Sequence, residues 1–130
     1  MTVVILDGSS TVQRKIEELL LEINIDNMDI QPFSDGDEAL EFVQNNEVDF
    51  IFSSIETEGI DGVTFVDLIL RSFPKLVSRL FIVTSQKNSE QVDDIKGVGA
   101  KRFIKKPINE EYFNHFVVAE INKILHQNYS

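Results

Sequence analysis

The sequence predicts an α/β protein, a doubly wound five-stranded parallel sheet with helices on both faces. Five short apolar runs carry that reading: Thr2 to Leu6, Met28 to Phe33, Val48 to Phe52, Leu80 to Val83, and Arg102 to Ile104. Several are continuous rather than alternating (Val3-Val4-Ile5-Leu6, Phe50-Ile51-Phe52, Leu80-Phe81-Ile82-Val83). Strands buried on both faces of a parallel sheet look like this. Segments of helical period separate the runs, so strand and helix alternate five times, and right-handed crossovers complete the class.

The elements follow in order. After the first strand, Val12, Ile16, Leu19, Leu20 and Ile23 make a stripe at i, i+4, i+7, i+8 and i+11, the spacing of one helix face. After the second strand, Ser34 or Asp35 serves as a cap for a shorter helix with Ala39, Leu40 and Val43 on its inner face. The third strand leads to the Asp61-Gly62 turn, then Phe65, Val66, Ile69, Leu70 and Phe73, with Pro74 closing the helix. The helix read from Glu90 to Gly97 has only Val92 and Ile95 as apolar anchors. It is expected to be the least stable of the five. Phe113, Phe116, Val117, Ile121, Ile124 and Leu125 mark the last and longest.

Composition narrows the class further. A chain of 130 residues that is 42% hydrophobic, with ten Phe and no Trp, holds one domain (1–130) with a real core. No cysteine is present, so neither a disulfide nor a thiolate zinc site is available. No apolar run approaches the ~20 residues of a membrane span, and Met1-Thr2 leads straight into a strand rather than a basic signal region. A cytoplasmic protein without membrane contact is expected. The formal net charge of −10 argues against nucleic acid, whose backbone is bound through Lys and Arg. The densest basic cluster, Lys101, Arg102, Lys105 and Lys106, flanks a strand and reads as strand-end solvation plus one site lysine.

The strands end beside Asp7-Gly8, Ser53-Ser54, Thr84-Ser85 and Lys106-Pro107. In open parallel sheets ligands sit beyond the carboxyl ends of the strands, so Asp7, Ser54, Thr84 and Lys106 locate a site. This set resembles the receiver domain of bacterial two-component response regulators. The matching blocks are Val3 to Arg14, Phe50 to Gly62, Leu80 to Ser85, and Gly99-Ala100 through Lys106-Pro107. The resemblance implies a CheY-like (flavodoxin-like) sheet with strand order 2-1-3-4-5 and five helices. In that family an acidic pair after the first strand helps hold Mg²⁺, an Asp after the third takes a phosphoryl group, a Thr or Ser after the fourth reads it, and a Lys before a Pro contacts it. Here the pair is Asp7-Gly8 and the acceptor position is Ser54, so the chain resembles a degenerate form, a pseudo-receiver.

The chemistry follows from those two positions. A carboxylate nucleophile is ionised at neutral pH, whereas a serine hydroxyl needs an adjacent base, and His115 and His126 both lie on the final helix. Gly8 and Ser54 remove two of the three acidic side chains that a receiver site holds. Each carboxylate ~4 Å from a dication gains on the order of 8 kcal/mol at an effective dielectric of ~20, before desolvation. With about 3 kcal/mol of that surviving per ligand, losing two weakens binding roughly 10⁴-fold. No cofactor is therefore expected, and Mg²⁺ binding is expected to be weak or absent, with Asp7 and Glu56 as residual candidate ligands. Glu56 stands where the family uses a backbone carbonyl for the metal, and Glu58 where many receivers carry a Pro; both read as solvated loop acids.

Lys106 is expected to pair with Asp7, and the resemblance suggests a cis Lys106-Pro107 bond. Thr84 and Phe103 match the family's switch positions, but Phe103 lacks the hydroxyl of the Tyr often found there and also reads as a groove-filling apolar residue. The resemblance implies a signalling domain, not an enzyme. Its partner would be a histidine kinase or a downstream signalling protein, contacted through 90–128, where Lys101, Lys105 and Tyr112 lie. Two other readings stay open. One is a Ser54-dependent hydrolase using Asp7 and Lys106. The other is a flavodoxin-like cofactor-binding module, for which Gly8-Ser9-Ser10-Thr11 resembles a phosphate loop although Val12 stands in place of a Gly.

Overall fold

The computed structural model describes residues 1–23, 25, 27–85 and 89–126. Within them β1 (Thr2–Leu6), β2 (Asp29–Phe33), β3 (Phe50–Ser54), β4 (Leu80–Thr84) and β5 (Arg102–Lys105) form one parallel sheet in the order β2-β1-β3-β4-β5. That is the doubly wound, CheY-like topology expected from the sequence. The helices are α1 (Ser10–Leu21), α2 (Gly36–Asn45), α3 (Gly62–Ser72), α4 (Ser89–Gly97), α5 (Glu110–Tyr112) and α6 (Val118–His126).

Successive side chains of a strand point to opposite faces, so β1 sends Val3 and Ile5 into one layer and Val4 and Leu6 into the other. The first layer holds Ile16, Leu19 and Leu20 of α1 with Phe113, Val117 and Ile121. The second holds Ala39 and Val43 of α2, Phe65, Val66 and Ile69 of α3, and Ile95 of α4. Phe52 stacks on Phe81 with ring centroids 5.0 Å apart, and on Phe113 at 6.0 Å. Each such fully buried side chain contributes roughly 1.5–3 kcal/mol relative to exposure. Asp35, not Ser34, caps α2: its carboxylate accepts from Asp37 N (2.8 Å) and Glu38 N (3.3 Å).

Several boundaries differ from expectation, most by a single residue. β3 begins at Phe50 rather than Val48 and runs on through Ser54. Asp49 stands at its entrance, donating its N–H to Thr2 O (2.8 Å) and accepting Thr2 N–H on its carboxylate (2.8 Å). The strand then continues through two serines, because the ladder needs backbone groups and not apolar side chains. α1 stops at Leu21, so Ile23 packs against the core from beyond the helix.

The predicted fifth helix is divided, which makes six α segments. Between α5 and α6 lies a π turn, Phe113–Val117, closed by the Val118 N–H on Phe113 O. The wider turn keeps Phe113, Val117 and Ile121 on the sheet and turns Phe116 outward. Phe116 is 44% exposed and stacks at 5.2 Å on Tyr112, itself 41% exposed, so it is not the core residue that its spacing predicts. Lys15 of α1 is ion-paired with Glu110 of α5. The hydrogen bond that Lys15 donates to the Glu110 carboxylate holds its ammonium above the usual lysine range. No helix among the described residues is long and apolar enough to cross a membrane.

Candidate functional site

The register sets the strand ends level. Leu6 pairs with Ser53, Ser54 with Val83, and Thr84 with Lys105. Asp7, Ser54, Thr84 and Lys106 therefore meet along one edge of the sheet, the edge at which the sequence places a site.

Asp7 is buried to 1% exposure. Its N–H donates to Phe33 O (3.0 Å), and its Oδ1 accepts from Ser9 N (2.8 Å). Its Oδ2 faces Lys106 Nζ at 2.9 Å, the pair anticipated from the sequence. The contact is ionic rather than a well-directed hydrogen bond, since Oδ2 is buried without an aligned donor. We therefore regard Coulomb attraction, not hydrogen bonding, as what holds this pair.

Ser54 lies beneath, also 1% exposed. Its Oγ accepts from Lys106 Nζ (3.3 Å) and from Glu56 N (3.2 Å). Among the described residues no hydrogen bond links it to Asp7 or to a histidine. Lys106 is fixed in turn by its N–H on Thr84 O (2.6 Å), and the Lys106-Pro107 bond is cis.

Beside Asp7 and Lys106 opens a cleft of about 560 Å³ lined by Asp7, Gly8, Ser9, Glu56, Glu58 and Lys106; Ser54 is not in its lining. Thr84 and Phe103 line a separate, larger groove of about 1090 Å³ with Lys96, Lys105 and Tyr112. Lys106 alone among the predicted site residues borders both. Lys96 Nζ sits 5.4 Å from the Phe103 ring centroid, a cation–π contact on the groove floor.

The donors in the cleft are a poor match for Mg²⁺, which wants octahedral oxygen ligands. Oδ1 of Asp7 is engaged by Ser9, Oδ2 faces an ammonium, and the Glu56 carbonyl accepts Gly8 N–H at 3.2 Å. No group of three or more metal-ligating side chains converges among the described residues.

Gln13 escaped the sequence reading. Its Nε2 donates to Asp7 O (2.7 Å), Phe33 O (3.1 Å) and Ser34 Oγ (3.1 Å). One amide thus ties α1 to the ends of β1 and β2 directly under the site. The available signal was a polar residue beside Val12 on the inward side of α1. Gln13→Ala is expected to cost about 1–3 kcal/mol, because it strands part-buried acceptors; urea unfolding measures this.

Comparison with known proteins fits this geometry. Residues 3–117 match the model of the response regulator receiver domain. Over 107 residues the chain is 24% identical to the chemotaxis protein CheY-3 of Vibrio cholerae, covering 82% of this chain and 81% of that protein. Over 127 residues it is 26% identical to a cyclic di-GMP phosphodiesterase of Thermotoga maritima, covering 97% of this chain but only 33% of that protein. The chain likewise spans 30% of a protein-glutamate methylesterase/protein-glutamine glutaminase of Archaeoglobus fulgidus, so it corresponds to about a third of either enzyme. Among solved structures, the REC domain of AraT, a response regulator from Geobacillus stearothermophilus, superposes with a TM-score of 0.84 at 21% identity, covering 99% of this chain and 98% of that one. With the family model spanning most of the chain and the strand-end residues set on one edge of a 2-1-3-4-5 sheet, the chain belongs to the response regulator receiver domain family.

Proposed function

We propose that this receiver domain signals through protein–protein contact, without phosphorylation at Ser54. The observation that supports this most directly is the state of the acceptor position. Ser54 Oγ is neutral, buried, and already accepts from Lys106 and Glu56 N. A phosphoryl group needs an ionised or base-activated oxygen there, and Ser54 has neither property. The same argument weighs against a Ser54-dependent hydrolase, so the domain itself is proposed to be no enzyme. Mg²⁺ binding is proposed to be weak, for want of the carboxylates absent at Gly8 and Ser54. The Ser9 hydroxyl, in the segment that resembles a flavodoxin phosphate loop, instead caps α1 by accepting from Val12 N (3.3 Å), which favours the receiver reading.

The partner is proposed to be a histidine kinase or a downstream signalling protein in the cytoplasm, met on the face formed by residues 90–128. Residues 127 and 128 of that face lie outside the described ones. Lys101, Lys105, Tyr112 and Phe116 are exposed there. The acidic balance of the chain disfavours nucleic acid.

The test is an amide-resolved NMR titration with Mg²⁺ and then beryllofluoride, a mimic of a phosphoryl group on a carboxylate. The expected result is no saturable shift at Gly8, Ser54 or Thr84; saturable shifts there overturn the proposal. Capture of a histidine kinase that binds the domain is expected to weaken at least ~10-fold in the Tyr112→Ala, Phe116→Ala double variant. Unchanged capture removes this face as the contact.

A further inference from the structure

We infer that the groove between α4, β5 and α5 is a binding site for a small aromatic anion, a nucleoside monophosphate. Three elements build it, each bringing an apolar body and a polar group to the same side. On α4 the i, i+4 spacing sets Val92 beside Lys96. The pleat of β5 turns Phe103 and Lys105 into the groove and sends Ile104 to the opposite core layer. Tyr112 and His115, three residues apart, close the far wall.

Charge favours an anion. Lys96, Lys105 and Lys106 line the groove against one carboxylate, that of Glu111, on a chain whose formal net charge is −10. Lys106 is committed to Asp7. Neither Lys96 nor Lys105 forms an ion pair among the described residues, and both are exposed. Two ammoniums are thus left for a ligand to neutralise. The rings supply the other half of the site. Phe116 stacks on Tyr112 at 5.2 Å but takes no part in the lining, so it backs the tyrosine from outside the groove. A ring held in this way beside cations takes a nucleobase by stacking, with little regard to which base. Asn109 Oδ1 already accepts from Tyr112 N (2.9 Å), which leaves its amide N–H groups as donors on the same wall. The volume of about 1090 Å³ is that of a large small-molecule site; inorganic phosphate alone would fill little of it. The inference stands apart from the contact proposed above: it needs no partner protein, and that contact needs no nucleotide.

Amide-resolved NMR titration of the native chain with AMP, GMP, CMP and UMP tests it. Saturable shifts are expected at Phe103, Lys105, Tyr112 and His115 and not at Gly8, with a Kd below ~1 mM for at least one nucleotide. The matching nucleoside and inorganic phosphate are each expected to bind at least ~10-fold more weakly. The Lys96→Ala, Lys105→Ala double variant is expected to weaken nucleotide binding about ten-fold. Tyr112→Ala is expected to weaken it at least ~5-fold, the lower end of one base–aromatic stack. All three side chains are exposed, so these variants are expected to fold as the native chain does. No saturable shift with any of the four nucleotides overturns the inference, as does an unchanged Kd in either variant. Inorganic phosphate binding as tightly as a nucleotide means an adventitious ion only and also overturns it. Shifts at the same amides with an acidic peptide carrying one phenylalanine, but not with nucleotides, assign the groove to a protein segment instead.

Discussion

Lys106→Met is expected to destabilise the domain by about 3–5 kcal/mol, because it leaves a buried carboxylate without its partner. Asp7 is 2% exposed at its side chain, and its Oδ2 has the Lys106 ammonium at 2.9 Å but no aligned donor. Deleting the ammonium also removes one of the two donors to Ser54 Oγ. For a chain of this size the loss corresponds to a fall of roughly 10 °C or more in thermal midpoint. The reverse change, Asp7→Asn, is expected to cost less, about 1–2 kcal/mol. Asparagine still accepts from Ser9 N, and the Lys106 side chain, 20% exposed, can turn its ammonium to water. The asymmetry is the sharper prediction. Urea unfolding of both variants measures it, and a Lys106→Met cost no larger than that of Asp7→Asn would mean that Asp7 is solvated enough to stand alone.

That pair was legible in the sequence because topology forces it. Continuous apolar runs fix a parallel sheet, a parallel sheet fixes which strand ends are neighbours, and the residues after β1 and β5 are then within reach of Ser54. What escaped was of two kinds. The outward turn of Phe116 depends on a single inserted residue in the last helix, and a period count cannot distinguish a 3.6-residue turn from a wider one when Phe113, Phe116 and Val117 are all apolar. The ties made by Gln13, and the backbone bonds of Glu58 to Ser34 and Gly36, reach backbone groups of distant loops. Backbone groups are the same at every residue, so composition and spacing carry no trace of where they go. Gly36 and Gly59 were the visible residues where those two loops approach, but a glycine alone does not say what it lets approach.

Ser54→Asp is expected to raise Mg²⁺ affinity about 100-fold, the equivalent of ~3 kcal/mol for one surviving carboxylate ligand. The position is already organised for an anion: Lys106 Nζ and Glu56 N both point at the serine oxygen, from 3.3 and 3.2 Å. Two carboxylates would then share one ammonium. Without a cation, that like-charge crowding lowers stability, and Mg²⁺ restores it by binding the folded state alone. Adding Gly8→Asp supplies the third acid and is expected to bring the total gain to about 10⁴-fold. It meets a steric limit, however, since a Cβ on Gly8 would lie 3.3 Å from Glu56 O, and the loop between β3 and α3 must yield by a few tenths of an ångström. The single substitution at Ser54 is therefore expected to fold more readily than the double one. Calorimetric Mg²⁺ titration of the native chain and both variants reads the order directly. Native binding as tight as that of Ser54→Asp would mean that Asp7 and Glu56 suffice as ligands, and the proposal of weak Mg²⁺ binding would fall.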